Sequence, residues 1–133
     1  MQRWLGFVPL LVALACAGCA RASPPPRDWS AVAGQRIVVD GTAANAKRGA
    51  LLETETGTVW IDGLESWPEG YYEGDGTGKR LRVTGTVVER HDLPVFERRP
   101  GEPEMQGIPA APGTDLHAAS KRYVLTDATW EMR

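Results

Sequence analysis

From Gly34 onward, apolar and polar residues alternate with a period of two, and the 3.6-residue spacing of an amphipathic helix is nearly absent. The pattern predicts five strands: residues 36–40, 50–55, 58–62, 80–89 and 122–130. The second and third form a hairpin about Thr56-Gly57. In the third, Trp60 alternates with Val59 and Ile61, so its ring points away from the apolar side. Leu81, Val83 and Val87 share one face of the fourth. Helical turns are predicted only at residues 28–34, with Asp28 as N-cap and Gly34 as the stop, and at residues 114–120. Residues 91–121 form the longest irregular stretch and hold Pro94, Pro100, Pro103, Pro109 and Pro112, half of the chain's 10 prolines. A loop of that length is either functional or a solvated excursion.

The run from Gly34 to Ala44 repeats from Gly78 to Val88, with Gly, Arg, Val, Gly and Thr identical in both. A glycine inside a strand weakens it and marks a bulge or a bend, and a small barrel needs such bends at its corners. Two long strands with matched central glycines, a hairpin between them and the terminal run 123–128 together resemble the OB-fold, a five-stranded Greek-key barrel. The likeness is to the OB domains of small bacterial envelope proteins. It implies a mainly β domain with one or two short helical turns, and an SH3-like barrel is the alternative. In one respect the chain departs from the OB pattern, which usually has a helix between strands three and four. Here Leu64-Glu65-Ser66-Trp67-Pro68 and a Gly-rich turn leave room for one turn at most. Trp67, Tyr71 and Tyr72 are expected to plug the barrel end in its place, or else to form an exposed stacking surface with Trp60 and Trp130.

The N-terminus reads differently. A basic start at Arg3 precedes an apolar run from Trp4 to Ala17, too short to span a bilayer and matched to a secretory signal. Ala17-Gly18-Cys19 resembles the end of a bacterial lipoprotein signal, in which the cysteine is lipidated and becomes the new N-terminus. Cys16 is the competing site, and neither cysteine has the usual Leu three residues before it. The resemblance implies a signal over residues 1–18, a lipidated Cys19 with a Pro-rich tether over 19–33, and the barrel over 34–133. With Ala20 rather than Asp after the cysteine, it implies anchoring at the outer membrane, facing the periplasm. Several acyl chains make such retention effectively permanent, and Ser23-Pro24-Pro25-Pro26 is expected to act as an extended spacer.

Removing residues 1–18 from the 133 leaves 115, one domain's worth. Without Arg3 the net charge of −2 becomes −3, with no basic patch to meet a phosphate backbone, which argues against nucleic acid as partner. Both cysteines lie at the signal's end, so the body holds no disulfide framework and no thiolate metal site. Gly74-Asp75-Gly76-Thr77-Gly78-Lys79 lacks the spacing and the following helix of a phosphate loop and reads as a turn. His91 and Asp92, with Glu89, Asp115 and His117, form the one grouping suited to acid–base work or a metal. His91 and His117 are weak metal candidates, since no motif spaces them as ligands. No catalytic residue and no cofactor is implied.

The expected role is therefore a non-enzymatic binding or interaction module. Its ligand face is expected to hold Trp60, Arg80, Arg82, Thr84, His91 and Asp92 beside the Pro-rich loop. An envelope protein is the first expected partner and an oligosaccharide the second. A small metal-handling protein or hydrolase using the loop His and Asp, and single-stranded nucleic-acid binding by fold analogy, are the alternatives.

Overall fold

A computed structural model describes residues 21–133. Cys16 and Cys19 lie outside the described residues. The elements run, in order, through a 3-10 turn at Trp29–Val32, β1 (Arg36–Ala46), β2 (Gly49–Thr54), β3 (Gly57–Ile61), β4 (Arg80–His91), β5 (Val95–Glu97), β6 (Ile108–Ala110), α1 (Leu116–Ala119) and β7 (Lys121–Met132). Five strands close a barrel in the order β1-β2-β3-β7-β4, with β3 and β7 parallel and the other pairs antiparallel. This is the OB-like arrangement, with one 3-10 turn and one short helix added to it. The strand expectations hold, and β1 runs on to Ala46 because Ala43 and Ala44, which read as weak strand formers, are buried inside.

The repeated run has a geometric meaning. Its alignment places Val39 on Val83, and these two residues pair directly across the β1–β4 ladder. Gly41 pairs with Leu81 and Gly85 with Ile37, the same exchange on either side. The repeat is thus a local two-fold about the Val39–Val83 pair. Each strand bends at its glycine to leave its partner. β1 passes from β4 to β2 at Thr42, just after Gly41. A Cβ on Gly41 would lie 2.6 Å from both the Glu53 carbonyl oxygen and Leu52 Cγ. At Gly85 the Cβ would lie 2.9 Å from that of Leu125. Opposite Gly85 the register of β7 shifts between Thr126 and Thr129, and Asp127 takes the left-handed conformation at φ 49°. Aspartate tolerates that conformation better than most residues. The Asp127 carbonyl accepts two hydrogen bonds, each 3.3 Å, from the Arg36 guanidinium.

Val39, Leu52, Val59, Leu81, Val83, Val87, Val124 and Leu125 fill the interior, each under 2% exposed. At about 1.5–3 kcal/mol per buried aliphatic side chain, they dominate the driving force. Two tryptophans close the ends. Trp67 is 3% exposed; its backbone N–H donates to Asn45 Oδ1 at 2.8 Å and its indole N–H to the Leu51 carbonyl at 2.7 Å. Its ring stacks on Tyr71 at 6.0 Å and meets Trp130 edge-on at 5.0 Å. This is the aromatic plug in the place of the missing helix, and Tyr72 lies half-buried beside it in sequence. Trp29, 7% exposed, packs into the core from the opposite end, with its ring nitrogen facing Gly57 at the tip of the β2–β3 hairpin. Asp28 caps its turn by accepting from the Ser30 backbone N–H at 2.9 Å.

Residues 23–33 do not stand free of the barrel. The Ser23 N–H donates to the Val38 carbonyl at 3.0 Å, and Thr56 Oγ1 donates to the Pro26 carbonyl at 2.7 Å. The reason is the open edge. The first half of β1 pairs only with β4, and β2 joins β1 from Thr42 onward. A segment with three consecutive prolines, and so few N–H groups of its own, fits such an edge and little else in a sheet.

If the two glycine bends set the barrel's closure, Gly41→Ala and Gly85→Ala each destabilise by about 1–3 kcal/mol through overpacking. Gly41→Ala is expected to cost more, because backbone oxygen cannot yield as a side chain can. Urea unfolding of the two variants, read at constant m-value, measures both.

Candidate functional site

At the end of β4 the chain leaves the barrel and returns only at β7, and the neck of this excursion is tied three times. The Leu93 N–H donates to the Ser120 carbonyl at 3.2 Å. Arg122 grips Asp92 with two hydrogen bonds, from Nε at 2.6 Å and from a terminal nitrogen at 2.9 Å. His91 stacks on His117 with ring centroids 4.0 Å apart, and its Nδ1 lies 2.8 Å from the His117 carbonyl oxygen. Beyond the neck the prolines do not leave a shapeless loop. β5 and β6 pair in parallel, and the Ile108 and Arg98 amides donate to the Pro94 and Ala110 carbonyls, each at 2.9 Å. Asp115 caps α1, accepting from the Ala118 N–H at 3.1 Å.

This ordered excursion carries exposed apolar side chains. Met105 is 56% exposed, Ile108 44% and Leu116 38%, and the other large exposed hydrophobic among the described residues is Met132. Met105 also lines a cleft of about 170 Å³ with Phe96, Arg98, Pro103 and Pro109.

The structure divides the residues expected to form one ligand face. Trp60 projects from β3, half-buried, and the Arg122 guanidinium lies 5.0 Å from its ring centroid. Asp92 holds that same arginine, so Trp60 and Asp92 are joined through Arg122 at the neck, with His91 beside them. Across the ladder Arg122 pairs with Arg90, which is ion-paired to Asp62. Two arginines directly opposite repel, and the carboxylates of Asp62 and Asp92 offset this. Sequence reading missed Arg90, Arg122 and Asp62, because partners 28 and 30 residues away leave no local pattern.

Arg82 and Thr84 lie elsewhere, on the outer wall of β1, β4 and β7. There Val38, Thr84 and Thr129 form one cross-strand row and Asp40, Arg82 and Glu131 the next. Val38, Arg82, Thr84, Thr129 and Glu131 border a cleft of about 400 Å³. Arg82 makes a two-point pair with Asp40 at 2.9 and 3.1 Å. Arg80 is exposed at the strand's start, where its carbonyl accepts from the Arg133 N–H at 2.9 Å. Eight residues of β4 separate Arg82 from Arg90, roughly 25 Å along the strand.

Of the histidine grouping, His91, His117 and Glu89 are brought together in a form that suits structure, while Asp115 caps α1. Rings stacked 5° from parallel aim their in-plane lone pairs side by side and not at one point, whereas ligands of one metal must converge. Among the described residues no group of three or more His, Cys, Asp or Glu gathers at metal-binding distance. Glu89 accepts from the Tyr123 hydroxyl at 2.9 Å and lies 3.4 Å from His91 Nε2. The Tyr123 bond, then the His91 contact, hold the Glu89 carboxyl below its usual range. Burial, then the Glu89 bond, push the Tyr123 phenol up. These groups satisfy one another.

The hydrogen bonds from Arg122 and Arg82 likewise hold Asp92 and Asp40 below the ordinary aspartate range. Carboxyls depressed on folding stabilise the native state above their unfolded pKa, near 4, and that contribution disappears as pH falls through the lower folded values. Stability is thus expected to be insensitive to these two groups from pH 5 to 8 and to fall below about pH 4. Asp92→Asn with Asp40→Asn is expected to flatten that acid limb, as measured by urea midpoints across pH. A slope unchanged by both substitutions would contradict the pairing. No family model, no curated protein and no solved structure matches the chain.

Proposed function

We propose that this chain is a non-enzymatic interaction module of the bacterial cell envelope, anchored by lipid at Cys19, or else Cys16, to the outer membrane and facing the periplasm. Its partner is another envelope protein, bound at the barrel end that carries the ordered excursion. The observation that carries this reading is the exposure of Met105, Ile108 and Leu116 along one excursion that is tied by β5–β6 pairing and by the Arg122–Asp92 clamp. Exposed apolar groups on a rigid support mark protein contacts, and pre-ordering lowers the entropy that binding costs. The charged groups at the neck are engaged with one another, which favours recognition over proton transfer. A second reading, an oligosaccharide ligand, is favoured by the wall cleft, where Thr84 and Thr129 sit beside the Asp40–Arg82 pair.

Crosslinking in cells, followed by mass spectrometry, tests the choice. Arg98 and Ala110 are hydrogen-bonded neighbours, so residues 99–109 can be replaced by a short glycine bridge without opening the barrel. With that deletion, or with Met105→Ser and Ile108→Ser together, partner recovery is expected to drop about tenfold, the loss of one hot-spot contact. The melting temperature is expected to stay within about 4 °C of the parent. An unchanged partner set would contradict the proposal, and loss of binding on Thr129→Arg instead would move the ligand to the wall cleft.

A further inference from the structure

The docked N-terminal strap fixes how far the barrel can stand from its anchor. Proline-rich tethers ordinarily hold a domain away from its attachment point. Here the Ser23 N–H is already bonded to Val38, in the middle of the first half of β1, and the Pro26 carbonyl is bonded to the β2–β3 tip. From there the strap feeds Trp29 into the end of the core. Cys19 precedes Ser23 by only four residues, and four fully extended residues reach roughly 14 Å.

We infer that the barrel lies directly against the bilayer surface, with the seam between the first half of β1 and the end of β2 as its membrane-facing flank. This rests on lipidation at Cys19. The partner fitted by the flank is the headgroup surface itself. Arg21 and Arg27, exposed on either side of the docked prolines, suit its phosphates. The length of chain ahead of Ser23 and the point on the fold where it ends carry the inference together. A strap bonded at the barrel end alone, or not bonded at all, would allow two to three times that reach. The seam uses a backbone edge that would otherwise be open to pairing with another chain, so the same contact protects the edge and sets the height.

The test uses the lipidated full-length product in phosphatidylcholine vesicles containing dansyl-phosphatidylethanolamine, reading energy transfer from the barrel tryptophans to the lipid. The native protein is expected to transfer efficiently. A form with about 30 Gly/Ser residues inserted between Ala20 and Arg21, which adds a root-mean-square span of roughly 30 Å, is expected to transfer several-fold less. Ser23→Pro, which removes the N–H that bonds Val38, is expected to fall between the two. Amide exchange on the native lipidated protein is expected to show Ser23 protected. Equal transfer from the native and inserted forms, or free exchange at Ser23, overturns the inference while leaving the anchor standing. A mature N-terminal peptide without acyl mass at Cys19 overturns both.

Discussion

The pairing of β1 with β4 about Val39 and Val83 is the constraint on which the rest of the molecule depends. Two strands of 11 and 12 residues cannot both stay straight and close a five-stranded barrel. Each must leave the other, β1 to take up β2 and β4 to run on beside β7 alone, and each parting is placed at a residue without a Cβ. Gly41 and Gly85 supply it at positions related by the local two-fold. The bulge at Asp127 and its hold by Arg36 follow from the second bend. The open edge beside the first half of β1, where the N-terminal strap fits, follows from the first.

Closing the barrel leaves two open ends, and the sequence meets both with tryptophan. Trp67 satisfies its indole N–H on a backbone carbonyl and stacks on Tyr71. The indole N–H of Trp29 is a buried side-chain donor with no hydrogen-bond partner among the described residues. Such a group costs about 1–3 kcal/mol, which the burial of a large ring offsets. A chain of this size needs that apolar area, because the interior is built largely from Val and Leu and holds no disulfide in the barrel. The end nearest Trp29 is also where β4 and β7 release the long excursion.

Much of the fold was legible in the sequence because its determinants are local. Alternation located Val59 and Ile61 inside and Trp60 outside, and the repeated Gly-Thr announced the bends. The N-cap at Asp28 and the helical turn within residues 114–120 were readable from residue type and position alone. The site was less legible. Trp60 and Asp92 were both picked out, but the residue that joins them, Arg122, is distant from each in sequence. Arg82 and Thr84 were placed on the outside of β4, yet the strand's length carries them far from Trp60. The contact of the strap with the barrel had no local signal, because prolines signal extension equally well on an edge and in solvent.

Amide hydrogen exchange on the isolated protein decides whether residues 92–120 are an ordered platform or a solvated loop. The Arg98 and Ile108 amides, which donate to Ala110 and Pro94, are expected to exchange far more slowly than an unstructured chain, together with Ser120 at the neck. Exchange at unstructured rates across residues 95–110, with the barrel strands still protected, would leave no fixed apolar surface for a partner and contradict the account.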